Sequence, residues 1–327
     1  MKLALIQPAQ IQSWEQGEIE RIAGLLRAAP FELGFELVSS ARDADLVVLL
    51  ESCTFKTRHD IPMYRALLQE HGPERLCCIN YEDGPPGFLP GLYSSLESYR
   101  FDPELHRSWP HLKLPNERID ETDASTRDAA PLLLFTFSGA CSHPLRRALF
   151  DKFESRPGRH KVREIKRWYD HNDAERMQYV VDIAQSKFVL CPRGIASYSH
   201  RILETLALGR VPVVIADDWV PFSIPEAGYF VRLAESRIDD LEAILGGEES
   251  RYDVLSARAR EVYQKNFRPD VRYVVALQQL AALSRAKSSC LGQAELKDRW
   301  NSRSFWKSND WCLEQRVVRR LRKLVAA

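Results

Sequence analysis

The chain has almost no net charge: 46 basic side chains stand against 45 acidic ones, leaving +1 at pH 7 over 327 residues. A binder of polyanions needs a basic field over much of its surface, so nucleic acid is not an expected partner. Any electrostatic function has to be local. Long apolar runs are missing too. The run LVVLL at 46–50 falls far short of the roughly 20 residues that a membrane-spanning helix requires. The opening MKLALIQPAQ has too short an apolar stretch for a signal peptide. The seven cysteines are odd in number and include no Cys-x-x-Cys pair, which argues against both a disulfide framework and a zinc site. Reduced, buried thiols in a cytosolic protein are the expectation. No segment repeats at solenoid spacing.

What is present is ordinary for a water-soluble body: 45% hydrophobic and 28% charged residues. The length favours two domains over one core. Apolar runs alternate with helical patterns. Strands are expected at 3–7, at 35–39, in ADLVVLLES (44–52) and in RLCCINYED (75–83), with helices over 15–29 and 62–71, which is the order of an open parallel sheet. From Gly84 to about Pro131 the texture changes. DGPPGFLPG has prolines that lack a donor and fix φ, and the following stretch is aromatic and then polar, so the segment is read as an irregular connection between domains. A second α/β series follows: PLLLFTFSG as a strand, a helix from about Pro144, KVREIKRW as a strand, AERMQYVVDIAQ as a helix, KFVLCP as a strand, SHRILETLALG as a helix and VPVVIADD as a strand. Helices are expected over much of 235–286. The resulting division is an N-terminal Rossmann-like domain over 1–125, a second domain over 126–295 and a helical tail over 296–327. In parallel sheets of this kind ligands are expected outside the carboxyl ends of the strands.

The most heavily punctuated stretch is SKFVLCPRGIASYSHRILETLALGRVPVVIADDWVPF, residues 186–222. Pro192 stops a strand and Gly194 lets the backbone turn close to a ligand. Arg193 is then projected at the strand's carboxyl end, where an anion can meet it. Ser197 and Ser199 are candidate caps of the next helix. Arg201, in its first turn, opposes the helix dipole at a cost of about 0.3–1 kcal/mol unless an anion offsets it. Glu204, three residues on, either pairs with Arg201 or binds a ribose hydroxyl. Together these groups can cradle a diphosphate and a sugar ring.

The same stretch resembles the signature of exostosin-type glycosyltransferases: Ser186, Phe188 and Leu190 in a strand, Pro192 and Gly194, Ser199 and Arg201 opening a helix, Gly209, Pro212 and Val213, then Pro221 and Phe222. Upstream, LLLFTFSG with Gly139 and the following Arg146 is similar to the family's strand and loop. The resemblance covers about residues 131–230. It implies a GT-B architecture, α/β with two facing Rossmann-like domains, in which the C-terminal one holds a nucleotide-sugar through Gly139, Arg146, Arg193, Gly194, Ser197, Ser199, Arg201 and Glu204. It further implies an inverting transfer, usually from a UDP-sugar, to a glycan, lipid-linked or other glycoconjugate hydroxyl. No cofactor and no metal are implied, so Arg193 and Arg201 stabilise the departing diphosphate. Inverting fucosyltransferases using GDP-fucose share a looser version of the pattern and remain a rival, as does a non-catalytic nucleotide- or glycan-binding protein.

The acceptor's proton needs a base. NYEDGPPG puts Glu82 and Asp83 at an expected strand end, with Asp83 the first candidate and Glu82 and His59 behind it; acids there also form turns for their own sake. Three further features are weaker. DAD at 43–45 precedes a strand and is read as a solvated strand entry rather than a metal motif. Asp217 and Asp218 shape a loop or touch a sugar hydroxyl. His171 is more simply a surface residue. In the tail, Leu313, Val317, Val318, Leu321, Leu324 and Val325 share one helical face against Arg316, Arg319, Arg320, Arg322 and Lys323. Such a helix either packs on the first domain or rests on an anionic membrane surface. The family's animal and plant members carry a membrane anchor, and without one a cytoplasmic enzyme is expected, peripheral on the membrane at most.

Overall fold

The structure is a computed structural model that describes residues 1–7, 13–28, 34–51, 56–111, 116–119, 121–122, 129–166, 172–287, 293–302 and 305. His171 and the basic tail helix lie outside the described residues. The chain divides into two compact units: residues 1–109, 218–223 and 273–327 form the first, and residues 110–217 and 224–272 the second.

Unit 1 contains a six-stranded, wholly parallel sheet. Its elements are β1 (Lys2–Ile6), α1 (Ser13–Ala28), β2 (Glu36–Leu37), β3 (Leu46–Leu50), α2 (Ile61–His71), β4 (Leu76–Asn80), β5 (Gly91–Tyr93) and β6 (His106–Ser108), in the strand order β2-β1-β3-β4-β5-β6. All residues of β3 and β4 are buried, as expected of central parallel strands covered on both faces. Asp45 accepts a hydrogen bond from the backbone N–H of Lys2 at 2.7 Å, so DAD ties a strand entry.

The segment read as an irregular connection proves to hold two strands. β5 and β6 extend the sheet, with Cys78 N–H bonded to Pro90 O at 2.9 Å and Gly91 N–H to Leu105 O at 3.0 Å. Three-residue strands are too short to show a period of two. Gly91 is required here, because a Cβ would stand 2.1 Å from the carbonyl oxygen of Cys78. The division between units accordingly falls at 109/110 instead of 125/126. It falls again at 272/273, because the helix that starts there and the one after it belong to unit 1. In that helix, α9 (Gln293–Asn301), Trp300 is buried and donates to Phe88 O at 3.0 Å. Ser108 and Ser223 are bonded to each other through N–H donors at 2.9 and 2.8 Å, which places 218–223, the end of the quoted signature, in unit 1.

Unit 2 has a five-stranded parallel sheet in the order β11-β10-β9-β7-β8. Its elements are β7 (Leu133–Gly139), α3 (Pro144–Phe153), β8 (His160–Glu164), α4 (Asp173–Ala184), β9 (Ser186–Pro192), α5 (Arg201–Ala207), β10 (Val211–Ile215), β11 (Val231–Arg232), α6 (Leu241–Glu248) and α7 (Tyr252–Val262); α8 (Arg272–Lys287) then leaves the unit. Phe135, Phe137, Phe188, Leu190, Val213 and Ile215 interlock between the strands and helices as one core. Asn172 and Glu175 form a reciprocal capping box at the start of α4. α5 ends where Gly209 takes φ +63°, a left-handed conformation that glycine adopts without strain. The strand order reverses at β7, which has β8 on one side and β9 on the other. That is the switch point at which loops diverge and ligands of open α/β sheets bind. Two parallel α/β units in one chain agree with the GT-B fold class expected from the sequence.

Candidate functional site: the carboxyl edge of β7 and β9

The loop after β7 is residues 140–143 and the loop after β9 is residues 193–200. Arg146, on the first turn of α3, joins them. Its guanidinium donates to three carbonyls, Ala140 O at 3.1 Å, Pro192 O at 3.1 Å and Arg193 O at 3.0 Å. Burial, and then the nearby Arg201, push its pKa down to about 9, still high enough to keep it charged at neutral pH. Arg146 was expected to hold the nucleotide-sugar. Its donors go instead to the backbone, where they fix the distance between the two loops.

Arg201 is the first residue of α5 and donates through Nε to Ser138 O at 3.0 Å, with Nη2 on the same oxygen. Its guanidinium carbon lies 5.0 Å over the Phe137 ring. Gly139 is needed beside it, since a Cβ there would come within 2.2 Å of Arg201 Nη2. Gly194 has a similar reason: its Cβ would meet Ser142 Oγ at 2.9 Å and Arg146 Nη2 at 3.0 Å. Both glycines thus serve close approach of one loop to the other's side chains.

Arg193 stands at the end of β9, with its backbone N–H on Ile215 O at 3.0 Å and its Nη1 3.8 Å from Glu235 Oε1. Glu235 is itself engaged: it accepts from Asp217 N–H at 3.1 Å while its own N–H donates to Asp217 Oδ1 at 3.0 Å. Asp217 therefore shapes a loop. Asp218 does the same in unit 1, where its carbonyl accepts from Ser98 N–H at 2.9 Å.

Two expectations about the serines and Glu204 change. The residue before α5 is His200, with no side-chain cap, so neither Ser197 nor Ser199 caps the helix. Both are buried, and the Oγ atoms of Ser138, Ser197 and Ser199 have no hydrogen-bond partner among the described residues. Glu204 is buried and accepts from the Tyr179 hydroxyl at 2.5 Å; no ion pair with Arg201 forms. Burial raises its pKa, with the Tyr179 hydrogen bond and Arg201 opposing.

Sequence reasoning missed three histidines. His143 precedes α3, and its Nδ1 accepts from Leu145 N–H at 3.2 Å. His200 lies 4.4 Å from His111, ring centre to ring centre, and His111 stacks on Tyr198 at 5.6 Å. Burial pushes His143 down to about 4, aided by Arg193 and Arg146; burial, Arg201 and Arg146 do the same to His200. The only signal for them was their position beside the loops, because a single histidine has no pattern.

The acids expected to supply a base lie in unit 1. Glu82 is wholly buried, accepts from Lys56 N–H at 2.8 Å, and has its own N–H on Asn80 Oδ1 at 3.0 Å. Burial pushes it up to about 8 despite Lys56. Asp83 is partly exposed, on a loop whose carbonyls at Gly84 and Pro85 accept from Arg100 Nη1 at 3.3 and 2.9 Å. His59 is exposed on a short 3₁₀ turn. Among the described residues no group of three or more His, Cys, Asp or Glu is arranged to hold a metal ion, and no helix is long and apolar enough to cross a membrane.

Residues 90–247 match the model of the exostosin GT47 domain. The match starts at the short strands β5 and β6 of unit 1 and runs through α6 of unit 2. An exostosin-1 homolog of Caenorhabditis elegans is 36% identical over 103 residues, 30% of this chain and 27% of that protein. A probable β-1,4-xylosyltransferase, IRX10, of Arabidopsis thaliana is 35% identical over 105 residues, 31% of this chain and 23% of that protein. A probable glucuronosyltransferase, GUT1, of Oryza sativa subsp. japonica is 43% identical over 70 residues, 20% of this chain and 17% of that protein. Among solved structures, a lipopolysaccharide outer core galactosyltransferase, WaaB, aligns with TM-score 0.46 and 12% identity over 86% of this chain and 99% of that one. An α1,3-fucosyltransferase aligns with TM-score 0.40 and 13% identity over 87% and 90%. Residues 90–247 of this chain are thus similar to the exostosin GT47 domain, and the chain spans about a quarter or less of the curated relatives it matches.

Proposed function

We propose that the chain transfers a sugar, with inversion and without a metal, from a nucleotide-diphosphate sugar to a hydroxyl of a glycan or glycoconjugate, and that the donor is a UDP-sugar. One observation carries the reading. At the reversal of strand order, Arg193 and Arg201 stand with three buried hydroxyls, those of Ser138, Ser197 and Ser199, that have no partner among the described residues. A buried polar group without a partner costs about 1–3 kcal/mol, so three at one strand edge call for a ligand rich in acceptor oxygens. A diphosphate supplies both the oxygens and the charge that the arginines attract.

The chemistry follows from that placement. The acceptor oxygen forms a bond to the anomeric carbon as the bond from that carbon to the diphosphate oxygen breaks. The electron pair leaves with the diphosphate, where Arg193 stabilises the charge as it develops. Arg201 holds Ser138 O and Gly139 in place for it. The acceptor's proton needs a base, and of the two acids Asp83, partly exposed, is better suited to contact a substrate than the sealed Glu82. The similarity to a probable xylosyltransferase and a probable glucuronosyltransferase supports a UDP-linked donor.

The test is transfer itself. Purified protein incubated with UDP-sugars in EDTA, followed by proton NMR of the anomeric signal, is expected to give a product of inverted configuration. Transfer from GDP-fucose alone would reassign the donor. Turnover that appears only when a divalent ion is added would remove the metal-independent part.

A further inference from the structure

Of the groups that the proposed reaction leaves unused, His143 has the most to explain. It occupies the N-cap of α3, a ten-residue helix, yet histidine is a poor choice there: Asn, Asp and Ser lead that position. Aspartate would also suit the helix dipole. A carboxylate at 143 would sit beside Arg193, however, and would neutralise the cation that an anionic ligand needs. Serine would cap the helix too, but its one O–H sits on the capping atom itself and reaches no farther out. An imidazole does what neither can. Its Nδ1 accepts from Leu145 N–H at 3.2 Å, and this use as an acceptor puts the ring's proton on Nε2.

The charged surroundings keep the ring neutral. Arg193 from the loop after β9 and Arg146 from the same helix both oppose protonation, in addition to burial, which is the largest cause. Glu235 lies 3.8 Å from Arg193 but is bonded to the Asp217 backbone, and no carboxylate accepts from His143 among the described residues. Arg146 ties this loop to residues 192–193 through carbonyls on both sides, and Gly194 lets Ser142 approach, so His143 and Arg193 are held on one edge.

We propose that His143 is a donor-binding residue of this edge, giving its Nε2–H as a neutral hydrogen bond to an oxygen of a phosphate-type anion held by Arg193. The inference rests on the nucleotide-sugar reading above and adds to it a residue and a tautomer. A neutral donor has a specific use here. It contributes a hydrogen bond to the leaving group without adding a third positive charge, which would hold the product diphosphate after transfer.

The experiment is 15N NMR of the histidine-labelled full chain at pH 7 in EDTA, titrated with inorganic pyrophosphate and with UDP, together with His143→Ser. The expected spectrum has Nδ1 unprotonated and Nε2 protonated, with the Nε2 signal of His143 moving on addition of either ligand. Serine keeps the cap and the melting temperature, while UDP affinity falls about tenfold, the effect of one lost hydrogen bond of about 1.4 kcal/mol. If UDP binds the wild type but leaves the His143 signal unmoved, or binds the serine variant equally well, the assignment of His143 is wrong and the nucleotide reading stands. If neither ligand binds the wild type, both are wrong. A ring found protonated on Nδ1 overturns the inference by itself, whether or not the variant folds.

Discussion

The strand edges of the two units bury opposite chemistry. In unit 1 the carboxyl ends of β3 and β4 carry Glu51 and Glu82, both buried, with Oε1 of the first and Oε2 of the second lacking a hydrogen-bond partner among the described residues. In unit 2 the ends of β7 and β9 carry Arg193, Arg201 and the Arg146 clamp, beside imidazoles forced neutral. The same sheet geometry thus presents an acidic edge in one unit and a cationic edge in the other. A cationic edge suits a bound anion, whereas the sealed Glu82, pushed up to about 8 by burial, keeps its proton at neutral pH. The comparison teaches that the fold supplies only the edge, and that a few side chains at strand ends decide its charge.

The largest break in this contrast is expected from Arg193→Ala. Removing the cation that meets the diphosphate lowers turnover by about 10²–10³-fold, the usual effect of deleting one preorganised charge stabiliser, while the melting temperature stays near that of the wild type. Asp83→Asn is next. It lowers kcat by about 10²-fold with little change in donor affinity, because the base acts on the acceptor. Equal loss of donor binding in a nucleotide titration would remove Asp83 from the chemistry.

Gly139→Ala has a smaller and different effect. The added methyl displaces Arg201 from Ser138 O, so donor affinity falls about tenfold and the protein also melts earlier, as calorimetry with and without UDP will show. Arg201→Ala is expected to lower stability as well as turnover. Glu204→Ala, which removes the buried partner of Tyr179, is expected to act mainly on stability.

The pH dependence separates the two units. Glu82 titrates near 8 in the folded chain against about 4.5 when exposed, so the folded state holds a proton that the unfolded state has released. The contribution of Glu82 to unit 1 is therefore complete below pH 4.5 and fades as pH rises through 8. His143 and His200 titrate near 4 against 6.5, so the unfolded state takes up protons first. Unit 2 is accordingly weakened as pH falls from 6.5 to 4. Hydrogen exchange resolved by unit should show these opposite trends, and Glu82→Gln should flatten the first while leaving the second intact.

Much of this was legible in the sequence, though unevenly. β3, β4, β9 and β10 announce themselves as apolar runs, Pro192 and Gly194 mark the end of β9 and Gly209 the end of α5, so the parallel sheets and the loop after β9 followed from residue type. β5 and β6 did not, because three residues carry no period and their places are fixed by pairing, β5 on β4 and β6 on β5. The charged groups can be read off the chain, but their hydrogen-bond partners cannot. Arg146 reads as a ligand contact until its three carbonyl acceptors, up to 47 residues away, are known. Ser199 reads as a cap until the helix is seen to start two residues later, behind His200. Glu204 reads as an Arg201 partner or a ribose contact, and its hydrogen bond from Tyr179 of α4 is not legible in the sequence. Side-chain partners across elements depend on packing, which local sequence does not encode.

The most direct test of the central claim is nucleotide binding to unit 2, measured by calorimetric titration of UDP, GDP and CDP and their sugars in EDTA, on the wild type and on Arg193→Ala. The account predicts that UDP and a UDP-sugar bind without a metal and that the Arg193 variant loses at least tenfold in affinity. It also predicts that ligand at about 100-fold its dissociation constant stabilises the wild type by about 2.7 kcal/mol. Binding of no nucleotide, or equal binding by the Arg193 variant, would contradict it.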